Sequence, residues 1–219
     1  MTIFINNITK VLFITYIFSY QVFGDNHELS ESDMLFKKAT EFVKSKRYNE
    51  AISIFEKLAN NSEHDAQYNL AYFYKEGKGT TKKYSDSLYW AFLSKLGDIS
   101  QANDLVSELI DLIPEKQVEN VRGEVKIYLE KKIENGSQSS IMQLGKYFLE
   151  VAEEKEYPSA YKWFTIGAAL GLQNAAQLRD EAEQELSPEE IIEEQDRADK
   201  FFKNFVTKLN QNSNEENNS

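Results

Sequence analysis

The sequence contains no cysteine. Disulfides, thiolate metal sites, cysteine nucleophiles and lipid attachment through cysteine are therefore excluded. Histidine is nearly absent: His27 and His64 are the only two. Both stand in polar stretches with no second ligand at metal-binding spacing, so both are expected on the solvated surface. No nucleophile elbow, phosphate loop or dinucleotide fingerprint occurs. Lys78 sits inside a Gly-Lys-Gly, but no strand precedes it, as a phosphate cradle would require. None of these patterns asks for a cofactor. Lysine and arginine number 25 against 36 acidic residues, for a net charge of −11. The basic residues are dispersed, so neither nucleic acid nor an anionic membrane surface is an expected partner.

Hydrophobic residues make up 41% of the chain and aromatics 13%, enough for a substantial core. The N-terminus reads as a targeting segment. Lys10 precedes a short apolar run, 11–23, and Val22 and Gly24 are placed as small residues before a cleavage site at Asp25. The run is short for a membrane span of about 20 residues. A signal peptide over 1–24, cleaved near Gly24 and Asp25, is expected, with the protein secreted or periplasmic and not membrane-bound afterwards.

Beyond a polar leader, 25–33, helical periodicity dominates. Leu35, Ala39, Phe42 and Val43 share one face, and Ala51, Ile52, Ile54, Phe55, Leu58 and Ala59 share the next. Ser30 or Ser32 is placed to cap a first helix starting near Met34, and Ser62 with Asp65 to cap a third. Ala66, Leu70, Ala71 and Tyr74 form the face of that third helix. Gly77 and Gly79 supply its closing turn, and Trp90 is the largest side chain of the helix that follows, which ends at Gly97. Pro114, Pro158 and Pro188 stand at helix starts, and Ser187–Glu190 is a capping box. The final polar stretch, 210–219, has the composition of a disordered tail.

The stretch 66–97 returns. Leu144, Gly145, Phe148, Trp163, Gly171, Ala176 and Pro188 echo Leu70, Ala71, Tyr74, Trp90, Gly97, Ala102 and Pro114. The offset is 74 residues except at the tryptophan, where it is 73, and the pattern reads as a tandem duplication. Ala66, Leu70, Ala71, Tyr74, Gly77, Gly79, Trp90 and Gly97 resemble the Sel-one-like repeat. Ala39, Tyr48, Ala51 and Phe55 resemble its relative, the tetratricopeptide repeat. The resemblance divides the chain into a helix pair over 34–62 and two repeat units over 63–136 and 137–209. It implies an all-α, right-handed solenoid of about ten helices in stacked antiparallel pairs, and a non-enzymatic scaffold that binds a protein or peptide. Two other functions remain open: a ligand-binding or hydrolytic protein related to β-lactam handling, whose paired cysteines this chain lacks, and a structural subunit of an envelope assembly.

In such solenoids the first helix of each pair lines the concave surface. Tyr68, Asn69, Tyr72 and Lys75 are therefore candidate partner-binding residues, with Gln143, Lys146 and Tyr147 as counterparts in the second unit. The carboxylates around Glu150–Glu156 and between Glu181 and Glu194 read as solvated helix faces. They offer no glycine-centred calcium loop, and at most a weak attraction for a basic partner.

Overall fold

The computed structural model describes residues 30–216, with side chains described to 211. The described residues form ten helices and no strand: α1 (Glu31–Lys44), α2 (Tyr48–Asn60), α3 (His64–Glu76), α4 (Tyr84–Leu96), α5 (Gln101–Leu112), α6 (Glu115–Glu134), α7 (Ser139–Glu150), α8 (Tyr157–Ala169), α9 (Ala175–Glu183) and α10 (Pro188–Glu216). The signal segment, most of the leader, His27 and residues 217–219 lie outside the described part.

Local chemistry explains the boundaries. Ser30 caps α1 through a full capping box with Asp33, so the helix begins at Glu31, before Met34. Ser62 does not cap α3. It takes φ 67 to reverse the chain between α2 and α3, and its hydroxyl lies 3.5 Å from that of Tyr128. Glu63 occupies the cap position without a side-chain bond. Gly77 closes α3 at φ 67. At Gly79 a Cβ would lie 2.5 Å from that of Tyr48, so only glycine lets this turn settle on α2. Helix α10 runs on through 210–216, so the tail expected to be disordered is helical to Glu216.

The packing repeats with the sequence. In the first unit α4 holds α3, α5 and α6; in the second α8 holds α7, α9 and α10. Helices α5 and α6 each rest on α4 rather than on one another, α6 packing as much on α7, and α9 and α10 each rest on α8. The pair α1–α2 precedes the first unit through α2 against α3, and α6 joins the units by packing on α7.

The structure also corrects the register of the duplication. The offset is 74 across α3 and α7, but 73 from α4 onward, because the α7–α8 turn is one residue shorter than the α3–α4 turn. Buried Ser87, Leu88, Leu93 and Ser94 thus correspond to Ala160, Tyr161, Ile166 and Gly167. The left-handed residue after α4 is Asp98, at φ 65, and its equivalent is Gly171, at φ 71; Gly97 has φ −92. Ala102 corresponds to buried Ala175, because Ala176 is exposed. Matching letters aligned the glycines and alanines one position out. Helix geometry, which counts residues from the turn, decides the alignment.

Two hydrophobic clusters result. One joins α1, α2 and α3 around Phe55 and Phe73; the other runs from Ala71 to Phe205. Half-buried Trp90 packs against both. Its equivalent, Trp163, is buried edge-on to Phe201 at 4.9 Å between ring centres.

Candidate partner-binding face

The candidate residues separate by burial. Asn69, Gln143 and Tyr147 are buried and do not line a surface. The Asn69 amide nitrogen donates 2.8 Å to the Asp65 carbonyl within α3. Tyr147 packs edge-on to Phe148 at 5.4 Å, and burial above all pushes its hydroxyl pKa up. The helical wheel places these positions beside Tyr68 and Lys146, but Gln143 meets His64 of α3 and Tyr147 lies near Arg122 and Glu130 of α6, so neighbours cover more of the wheel than one apolar stripe.

Tyr68, Tyr72, Lys75 and Lys146 remain partly open. Tyr68 and Tyr72 sit one turn apart on α3. Burial raises the Tyr68 hydroxyl pKa, helped by Tyr72 and by the negative charge of Asp104. The Lys78 ammonium lies over the Tyr72 ring, 5.4 Å from its centre. Lys75 donates to Glu108 of α5 at 2.5 Å and lies 3.8 Å from Glu76. Lys146 is held by both oxygens of Asp98, at 2.6 Å each. Lys95 donates 3.1 Å to the Glu150 carbonyl, tying α4 to the end of α7.

Helix α5 completes this face, and sequence reasoning did not select it. Asp104, Glu108 and Asp111 fall at i, i+4 and i+7, on the side opposite buried Ala102, Leu105, Val106 and Leu109. The helix contains no lysine or arginine. That spacing was visible in the sequence; its place beside Tyr68 and Lys75 was not, because a full helix separates α3 from α5 in the chain. Leu112, which follows, is 49% exposed.

His64 is not a solvated surface residue. It opens α3 half-buried, with its ring against Gly97, where any Cβ would overlap it. Gln67 donates its amide to the Ala59 carbonyl at 3.1 Å, leaving its oxygen to accept from His64 Nδ1 at 2.9 Å. That assigns the Nδ1–H tautomer, and His64 Nε2 then accepts from the Gln143 amide at 3.4 Å. His64 and Gln143 thereby link α3 to α7. Its missing sequence signal was a partner 79 residues away.

Glu115 and Glu119 of α6 and Glu153 of the α7–α8 turn bring one oxygen each within 4.8 Å of one another. All three are exposed, as acidic groups without an ion commonly are. Among the described residues no helix is long and apolar enough to cross a membrane.

No family model and no curated protein matches the chain. A solved structure of a protective antigen from uropathogenic Escherichia coli, displaying an SLR (Sel-one-like repeat) fold, is similar at 17% identity and a TM-score of 0.36. The match covers 80% of this chain and 45% of that one, so the chain spans under half of that protein's length. The fold assignment rests on this chain itself: ten helices among the described residues, most of them packed on the helix before or after, with the repeat motif's small residues and turn glycines at close approaches.

Proposed function

We propose that the protein is an exported, non-enzymatic repeat scaffold that binds another protein or a peptide through the α3–α5 face. The observation that carries this is the pair Tyr68 and Tyr72, a turn apart and only half-covered, beside a helix whose outer side is polar. Aromatic side chains bury a large area at small entropic cost and dominate binding energy where they are left open. Export rests on the N-terminal segment, and the non-enzymatic reading on the absence of any catalytic motif in the sequence. The test is affinity capture from the source cell envelope with the chain lacking 1–24, beside Tyr68→Ala/Tyr72→Ala. A partner retained by the parent chain should bind the double variant at least about tenfold more weakly, the usual effect of losing aromatic anchors, while helicity by circular dichroism is unchanged. If the folded variant captures the same partner equally well, the face is wrong. If the variant unfolds, Tyr68→Phe/Tyr72→Ser keeps more of the packing and tests the same face.

A further inference from the structure

We infer that the junction of the two units binds a small oxyanion, a carboxylate or phosphate group, with Arg122 and Lys126 of α6 and Lys162 of α8 as its cationic ligands. Helix α6 packs on α7 and α10 packs on α8, so α6 and α10 flank the α7–α8 pair. Lys162 stands within electrostatic reach of both flanks: Glu194 and Arg197 on α10, Lys126 and Glu130 on α6. The Tyr147 hydroxyl of α7 lies within the same reach of Arg122, Glu156 and Glu130. Further along, α10 returns to α6, where Lys208 donates 2.6 Å to the Glu134 carbonyl.

The three cations are not neutralised by the protein itself. Lys126 lies over the Phe148 ring, 5.3 Å from its centre, and Lys162 over that of Trp163 at 4.6 Å. Neither makes an ion pair or a hydrogen bond among the described residues. Arg122 makes none either, and its Nε is buried without a hydrogen-bond partner. The other buried side-chain atom in that condition among the described residues is the Thr165 hydroxyl, one turn from Lys162 on the same side of α8. Both atoms carry donors that an oxyanion satisfies, and a buried donor left unbonded is costly. Of the two carboxylates near Lys162, Glu194 is held by Arg197, and Glu130 has no ion pair among the described residues. Positive charge is therefore in local excess, in a chain whose net charge is −11. Burial pushes the Lys162 ammonium below the ordinary lysine range, and an anion beside it favours the charged form again.

The first unit shows that the fold does not need these charges. In the register set by the helices, half-buried Lys162 corresponds to Tyr89, and buried Glu194 to buried Val121. Tyr89 fills its place edge-on to Tyr128, at 6.1 Å between ring centres. The second copy thus places charge where an aromatic and an aliphatic side chain suffice. Taking charge out of water opposes folding, and such groups are often replaceable by apolar ones without loss.

The test titrates the chain lacking 1–24 with sodium phosphate and, separately, with sodium succinate, each at constant ionic strength. Amide NMR shifts and the melting temperature are read. At least one anion should shift amides around Arg122, Lys126 and Lys162 saturably and raise the melting temperature. Response to phosphate alone assigns a phosphate group, and response to succinate alone a carboxylate. Lys162→Tyr installs the residue of the first unit. It should fold with the parent's helicity and bind at least about tenfold more weakly, as should Arg122→Gln. Lys200→Gln, which removes an exposed cation of α10, should stay within about twofold of the parent. Absence of a saturable response to either anion overturns the proposal. Equal weakening in Lys200→Gln does so too, because it shows attraction to net charge alone. If Lys162→Tyr fails to fold, Arg122→Gln and Lys126→Gln decide: binding equal to the parent's in both makes the cluster a structural ion network and overturns the site.

Discussion

Where α7 crosses α8, Gly145 faces Phe164, and a methyl group at Gly145 would overlap the ring. The equivalent positions in the first unit hold Ala71 and Ala91, both fully buried. One copy fills the crossing with two medium residues and the other with a small and a large one, so the volume is kept while its division changes. Gly145→Ala should cost about 1–3 kcal/mol by overpacking, and Phe164→Ala about 3–5 kcal/mol by leaving a cavity. The double variant restores the alanine pair of the first unit. Its loss, measured by urea denaturation, should fall short of the sum of the single losses by about 0.5–3 kcal/mol. Strict additivity would show that the two side chains do not share one space. Gly97 obeys the same logic toward His64: Gly97→Ala should displace the ring and be read as a lowered melting temperature of the folded chain.

At the scale of elements, the start of α10 shows how a helix end sets a titration. The Ser187 backbone N–H and hydroxyl each donate 2.8 Å to Glu190, and these bonds, the backbone one first, hold its carboxyl below the ordinary glutamate range. A depressed carboxylate contributes stability that is present above its unfolded value and lost as pH falls through its folded value. Ser187→Ala removes the hydroxyl and keeps the N–H. The Glu190 titration followed by NMR should therefore move upward part of the way and no further. A return to the full glutamate value would mean that the backbone bond depends on the hydroxyl. Helix α6 begins differently, with Pro114 as its cap residue and no side-chain bond. Proline there was legible in the sequence; its position one residue before the helix, against Pro188 inside its helix, was not. The candidate face divides in the same way. Period 3.6 placed Tyr68 and Tyr72 together. It could not reveal that Asn69 is buried, or that Glu108 from another helix holds Lys75.

For the whole molecule, α4 and α8 are the axes on which the other helices of each unit rest. Backbone amides there open only when a unit comes apart, whereas α1 touches little beyond α2 and can fray alone. Hydrogen exchange should be slowest in α4 and α8, intermediate in α3 and α7, and fastest in α1 and α5. Uniform protection from α1 to α10 would show that the array opens as a single cooperative body. Trp90 touches both hydrophobic clusters and so adds to the α2–α3 packing that couples α1–α2 to the first unit.

Helix count, the places where helices break and the existence of a doubled unit follow from the sequence alone, because apolar period, capping residues and turn glycines act over a few residues. The register of the two copies, the half-burial of His64, the burial of Gln143 and Tyr147, and the bridge from Lys75 to Glu108 across α3 and α5 were decided by tertiary structure. Each depends on which surface a helix is covered by, and from what height along its axis. A pattern within one helix carries no information about the residues of another that come to rest against it.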